Sequence, residues 1–199
     1  MLDHKGLPIL AFASQIDWVA WLTANGEDSR GIWLKFAKKT AGVSSVTKAQ
    51  AIEAALAYGW IDGQLDKFDD QFWLTRFTPR GPKSNWSQVN RETALRLISS
   101  GEITAAGMIQ VERARADGRW AAAYAPASRA EVPDDLAVAL NANPKAATFF
   151  ATLTGPNRYA VLYRIGDAKT EKTRVTRIEK FVAMLERGET AYPSKQSGD

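Results

Sequence analysis

Two extended runs, about Trp60 to Phe68 and Phe72 to Phe77, are separated only by Asp69-Asp70-Gln71. So short a polar spacer reverses a chain without carrying it across a sheet, and the pair is predicted to be an antiparallel hairpin. Both flanks narrow the options further. Upstream, Thr47 and Gln50 have capping-box spacing, opening a helix through Ile52, Ala55 and Leu56 that Gly59 ends. Downstream, Thr78-Pro79-Arg80-Gly81-Pro82-Lys83 is predicted to be a loop, because two prolines remove the N–H groups a central strand needs.

The remaining punctuation fits around that hairpin. Ile9 to Phe12 reads as a short strand, and Ser14 as the N-cap of a helix from Gln15 to Ala24 that buries Ile16, Trp18, Val19 and Leu22 and stops at Asn25-Gly26. Gly31 to Ala37 alternates Ile32, Leu34 and Phe36 on one side with Trp33 and Lys35 on the other, which predicts a strand. Ser87 caps a helix carrying Val89, Leu95, Leu97 and Ile98 as far as Gly101, and Thr104 opens another with Met108, Ile109 and Val111 as far as Gly118. Ala125-Pro126-Ala127-Ser128 is a linker signal. Beyond it four helices are predicted: Asp134 to Leu140, Pro144 to Leu153, Pro156 to Ile165 and Glu171 to Leu185. The expected class is α+β, a small mostly antiparallel sheet packed with helices in residues 1–130. A helical C-terminal region, 131–199, follows and ends in a disordered tail from Ser194 to Asp199.

Composition excludes several chemistries. The 199 residues include no Cys, which removes disulfides, thiolate nucleophiles and Cys-ligated metals. The single His, His4, sits in a terminus expected to fray, so imidazole catalysis and His metal sites are also unexpected. No metal and no cofactor is expected. A net charge of +4 favours an anionic partner without choosing among nucleic acid, lipid and metabolite. No apolar run approaches the roughly 18 residues of a membrane span. Leu7-Pro8-Ile9-Leu10 before Ala11-Phe12-Ala13 imitates an export signal, but it is short and contains Pro8 with Asp3 ahead of it; the expected location is the cytoplasm.

Charge is sorted along the hairpin and loop. Asp62, Asp66, Asp69 and Asp70 come first against Lys67; after Asp70 no acid appears until Glu92, while Arg76, Arg80, Lys83 and Arg91 do. With Trp60, Trp73 and Trp86 interleaved, this reads as a site for an anionic or planar partner. The segment from Arg80 to Trp86 offers a Gly approach, the Lys83 charge, and Ser84 and Asn85 donors, although Pro82 after Gly81 rules out a phosphate-cradling P-loop. In the last helix Arg174 falls inside the stripe of Val175, Ile178, Phe181, Val182 and Leu185, and Arg177 lies on its edge. A guanidinium so placed either pairs with a structural carboxylate or, with Arg177, clamps an anionic ligand. Gly118-Arg119-Trp120 and Asn157-Arg158-Tyr159 add Arg–aromatic pairs suited to stacking or to internal cation–π contact.

The string Ala55-Leu56-Ala57-Tyr58-Gly59-Trp60-Ile61-Asp62-Gly63, then Arg76-Phe77-Thr78-Pro79-Arg80, Lys83-Ser84-Asn85-Trp86-Ser87 and Gly118-Arg119-Trp120, resembles the YdeI/OmpD-associated family, also called bacteriocin-protection proteins. Ala168-Lys169 and the run from Thr173 to Lys180 match that family's other hallmark, so the resemblance extends from about Leu7 to Tyr192. It implies protection of bacteria against bacteriocins and cationic antimicrobial peptides, and it carries over no catalytic residues. Ala57 stands where relatives carry Cys, which argues against a thiol role.

The expected function is a non-enzymatic stress-protection or ligand-binding protein. Its site would be built from Trp60, Asp62, Arg76, Arg80, Lys83, Ser84 and Trp86, with Arg119, Trp120, Arg174 and Arg177 contributing. Two other readings stay open. One is an enzyme with Asp62 or Glu53 as base and Arg80 or Lys83 stabilising an anion. The other is a weakly basic nucleic-acid-binding protein, although no recognisable nucleic-acid module is present.

Overall fold

The computed structural model describes residues 2–192 and divides the chain into two compact units, Met1–Ala123 and Tyr124–Asp199. The sequence expectation put that break at residue 130. The tail expected at Ser194 to Asp199 lies outside the described residues.

The N-terminal unit runs β1 (Asp3–His4), β2 (Leu7–Leu10), α1 (Gln15–Asn25), β3 (Ile32–Ala37), α2 (Lys48–Ala57), β4 (Trp60–Lys67), β5 (Phe72–Pro79), α3 (Gln88–Ser100) and α4 (Ala105–Ala116). Its sheet has the order β1-β2-β3-β5-β4, antiparallel except where β2 pairs with β3 across the α1 connection. The fold is α+β, as the sequence indicates. The predicted caps form: Ser14 accepts from the Asp17 amide, and Thr47 and Gln50 complete a reciprocal box. Asp69 makes the β4–β5 turn by accepting from both the Gln71 and Phe72 amides at 2.7 Å. Thr78 and Pro79, expected in the loop, extend β5 instead. Pro79 is tolerated because it is the last residue of the strand, opposite Trp60, beyond the point where β3 begins its pairing at Phe77.

One face of the sheet, with Ile32, Leu34, Phe36 and Phe77, packs on Trp18 and Leu22 of α1 and on Ala51, Ala54 and Ala55 of α2. The other face is not open. Trp33 is 1% exposed, because the His4 ring meets it edge-on at 4.7 Å and Lys5 lies over it. The terminus expected to fray is therefore a strap: His4 Nε2 and Lys5 Nζ both reach Asp66 Oδ2, at 3.0 and 2.8 Å, across the sheet on β4. Covering an indole is worth up to roughly 5 kcal/mol at about 25 cal/mol per Å2, enough to offset ordering a short segment.

Several large apolar residues expected inside are outside: Ile16, Val89, Leu95, Ile109 and Val175 are all exposed. Small residues take their place in the contacts between helices. Ala94, Val111 and Ala114 share a second cluster with Leu56, Ala57, Trp86 and Leu97, and helices meeting on such faces come close without large side chains.

The C-terminal unit contains α5 (Asp134–Asn141), α6 (Pro144–Thr152), α7 (Gly155–Gly166) and α8 (Glu171–Glu186) around Leu136, Phe150, Val161, Ile165, Phe181 and Leu185. Among the described residues no helix is long and apolar enough to cross a membrane.

The strap gives a pH signature. Hydrogen bonds from Lys5 and then His4 hold the Asp66 carboxyl at about 2, below its ordinary 3.8. A depressed carboxyl stabilises the fold fully above its ordinary value, and the contribution fades as pH falls towards the lowered one. Asp66→Asn is therefore expected to lose stability at neutral pH and to show a shallower fall in melting temperature than wild type between about pH 4 and about pH 2, followed by circular dichroism.

Candidate functional site

The helix-to-strand turn Tyr58-Gly59-Trp60 is where four elements of the N-terminal unit converge. The α2 chain ends there because Gly59 adopts φ +74°, a left-handed conformation that a side chain rarely tolerates. The carbonyl of Ala57, the last residue of α2, accepts from both the backbone amide of Thr104 at 3.0 Å and its hydroxyl at 2.7 Å. Thr104 is the N-cap of α4, so one residue ends α2 and begins α4. Two glycines make that approach possible. A Cβ on Gly107 would lie 2.3 Å from the Ala57 oxygen, and one on Gly59 would lie 2.8 Å from the Ala106 oxygen. Arg80 N–H donates to the Gly59 carbonyl at 3.0 Å and fixes the end of β5, while Trp60 Nε1 donates to Gly26 O at 3.1 Å and fixes the end of α1.

These ties leave a cleft of about 520 Å3 beside the turn. Leu22, Trp60, Pro79 and Ile109 supply its apolar lining; Thr23, Glu27, Tyr58, Gln110 and Arg113 supply its polar groups. Residues 105, 106, 109, 110 and 113 of α4 line it at the spacing of one helical face. Tyr58 Oη lies 2.7 Å from Thr23 Oγ1, whose own proton goes to the Val19 carbonyl. The phenol must therefore donate to Thr23, and its own lone pairs stay available as acceptors. The side chains of Glu27, Gln110 and Arg113 make no hydrogen bond or ion pair with any described residue.

The loop after β5 is differently occupied. Arg80 is 6% exposed, and its guanidinium stacks 3.8 Å from the Trp86 ring and donates to Asn85 O at 3.2 Å. Gly118-Arg119-Trp120 meets this loop, as Arg119 Nη1 donates to Ser84 O at 2.7 Å and Trp120 abuts Trp86 edge-on at 4.8 Å. Arg119 also pairs with Asp117 at 2.7 Å, and its hydrogen bond holds the Asp117 carboxyl below the ordinary range. Arg80, Ser84, Trp86, Arg119 and Trp120 are thus brought together, chiefly to fix one another. Lys83 and Arg76 stay exposed; the Arg76 guanidinium lies beside Gly63, at an irregularity in β4. Asp62 has Lys48 at 3.9 Å and Glu53 has Arg96 at 2.7 Å. None of Glu53, Asp62, Arg80 and Lys83 lines the cleft.

Arg174 and Arg177 belong to the C-terminal unit. Arg174 grips Asp135 through Nε at 2.5 Å and Nη2 at 2.8 Å and donates to Ile165 O, which draws the Asp135 carboxyl down and the Arg174 guanidinium up. Arg177 donates to the Arg164 carbonyl. Among the described residues no group of acidic and His side chains is placed to hold a metal ion.

Sequence reasoning singled out Trp60 but missed Thr23 on α1, Glu27 just after it, and Gln110 and Arg113 on α4, far apart in the chain. No sequence signal marked them: Ile109 beside them was expected inside, and the structure exposes it.

Over residues 10–110 the chain matches a family model described as a domain of unknown function, DUF8412. Over residues 129–188 it matches the model described as Bacteriocin-protection, YdeI or OmpD-Associated. No curated protein matches the chain, and no solved structure does.

Gly107→Ala tests how the cleft is built. All seven tryptophans lie in the N-terminal unit, so their fluorescence follows that unit alone. The added methyl is expected to lower its stability by about 1–3 kcal/mol in urea titrations. Gly166→Ala, at a C-terminal position with open space, is expected to leave the fluorescence transition in place.

Proposed function

The chain belongs to the YdeI/OmpD-associated, bacteriocin-protection family, with a domain of unknown function over its N-terminal half, and we propose that it is a ligand-binding protein of cellular defence whose ligand site is the cleft beside Trp60. The observation that carries this reading is the contrast in commitment. Arg80, Arg119 and Arg174 are spent on stacking, carbonyls and internal carboxylates, whereas Glu27, Gln110 and Arg113 of an apolar-floored hollow are not. Its volume of about 520 Å3 falls within the roughly 300–1,000 Å3 of small-molecule sites. Exposed Ile109 and Pro79 on the cleft wall suit a ligand with an apolar body.

Binding without turnover fits better than catalysis. The enzyme reading needs Asp62 or Glu53 beside Arg80 or Lys83; these carboxylates instead face Lys48 and Arg96. The nucleic-acid reading rests on a mildly basic charge and on the Arg–aromatic pairs, but Arg119 is held by Asp117 and the Ser84 carbonyl, and Arg158 lies over the Phe150 ring. The protein is read as cytoplasmic, acting inside the cell on a ligand linked to bacteriocin or cationic-peptide stress.

A thermal-shift screen with phosphates, nucleotides, nucleobases and aromatic carboxylates is expected to find a stabilising ligand. Ile109→Trp, which fills the cleft from an exposed position, is expected to weaken that ligand at least about tenfold while keeping the fold. The same variant is expected not to restore bacteriocin resistance to cells lacking the protein. A ligand that tolerates Ile109→Trp but is lost with Arg76→Ala and Lys83→Ala would move the site to the basic loop.

A further inference from the structure

Resting on the reading that the cleft beside Trp60 is the ligand site, we propose that its ligand is a short zwitterionic peptide, of dipeptide size, with both termini free. The pattern of charge decides this. Glu27 follows the end of α1, Arg113 lies on α4, and both line the same hollow without forming an ion pair with each other. Several other acids in this unit find partners inside the chain: Asp66 with His4 and Lys5, Glu53 with Arg96, and Asp117 with Arg119. An acid and a base that share a cleft yet stay apart leave room for a molecule that reaches both. A simple anion would meet Arg113 but be repelled by Glu27, and a simple cation would face the reverse.

Length and hydrogen bonding narrow the class to a peptide. Ala106 touches the Gly59 turn, and Arg113 lies seven residues on, about 10 Å along the helix axis. At the other end, the Trp60 indole is tied to Gly26, which immediately precedes Glu27. An extended chain spans at most about 3.3–3.6 Å per residue, so two residues with their terminal groups match a cleft of this reach better than a single amino acid does. In the same cleft, the Tyr58 oxygen offers acceptor lone pairs and the Gln110 amide offers one acceptor and two donors. A peptide bond presents one N–H and one C=O, the complement of that pair. Pro79 and Ile109, both exposed on the cleft wall, then receive an apolar or aromatic side chain.

Isothermal titration with Phe-Ala, its N-acetyl form and its C-terminal amide tests the proposal. The unblocked dipeptide is expected to bind at least about tenfold more tightly than either blocked form. Glu27→Gln is expected to erase the penalty on the acetylated form alone, and Arg113→Gln the penalty on the amide alone. Both substitutions are at exposed positions and keep the fold. Equal binding of all three forms, abolished by Ile109→Trp, would overturn the zwitterion and leave the cleft reading intact. So would no binding of any form while another ligand is still excluded by Ile109→Trp. Binding of Phe-Ala that Ile109→Trp does not touch would overturn both.

Discussion

The Ala57 carbonyl is the point on which the N-terminal unit turns. It accepts two hydrogen bonds from Thr104, one from the amide and one from the hydroxyl, and so joins the end of one helix to the start of another. A helix end normally leaves several carbonyls, and a helix start several amides, without partners inside the helix. Here part of each shortfall is met by the other, at a distance only glycines allow. Gly107 gives the Ala57 oxygen its space, and Gly59 does the same for the Ala106 oxygen. The hollow beside Trp60 follows from that junction, since α4 is held down at its first turn while its later turns, with Ile109, Gln110 and Arg113, form one wall.

Cations divide into two populations by what they touch. Burying a guanidinium without partners is costly, and where Arg80 and, in part, Arg174 leave solvent the chain supplies those partners. Arg80 meets the face of Trp86, and Arg174 meets Asp135 with fork geometry. Such arrangements resemble ligand clamps because the same chemistry holds a loop and holds an anion. What separates the two uses is whether the guanidinium is already filled.

Much of the architecture was legible because local chemistry and global fold agree. The boxes at Ser14 and Thr47, the Asp69 turn and the glycine that ends α2 each act within a few residues, which is the range over which sequence speaks directly. The strap was not legible: nothing around His4 shows that Asp66 waits for it across the sheet, or that Trp33 needs a cover. Inward faces of α3 and α4 were assigned only in part, since Leu97 and Val111 are buried as expected while other flagged residues are not. Hydrophobic size flagged Leu95 and Ile109, whereas close packing selected Ala94, Gly107 and Ala114. The site was half legible, through Trp60 and the glycine beside it, because its other wall comes from residues about fifty positions away, joined to it through Thr104 and the close approach of Gly59 and Gly107.

Hydrogen exchange at the Thr104 amide tests that junction most directly. The N-cap amide of an ordinary helix has no acceptor within its helix and exchanges quickly. Slow exchange at Thr104, comparable to the core strands of the N-terminal unit, is expected if the Ala57 carbonyl holds it throughout the native state. Exchange at the rate of an exposed loop amide would contradict a fixed contact between α2 and α4, and with it a preformed cleft beside Trp60.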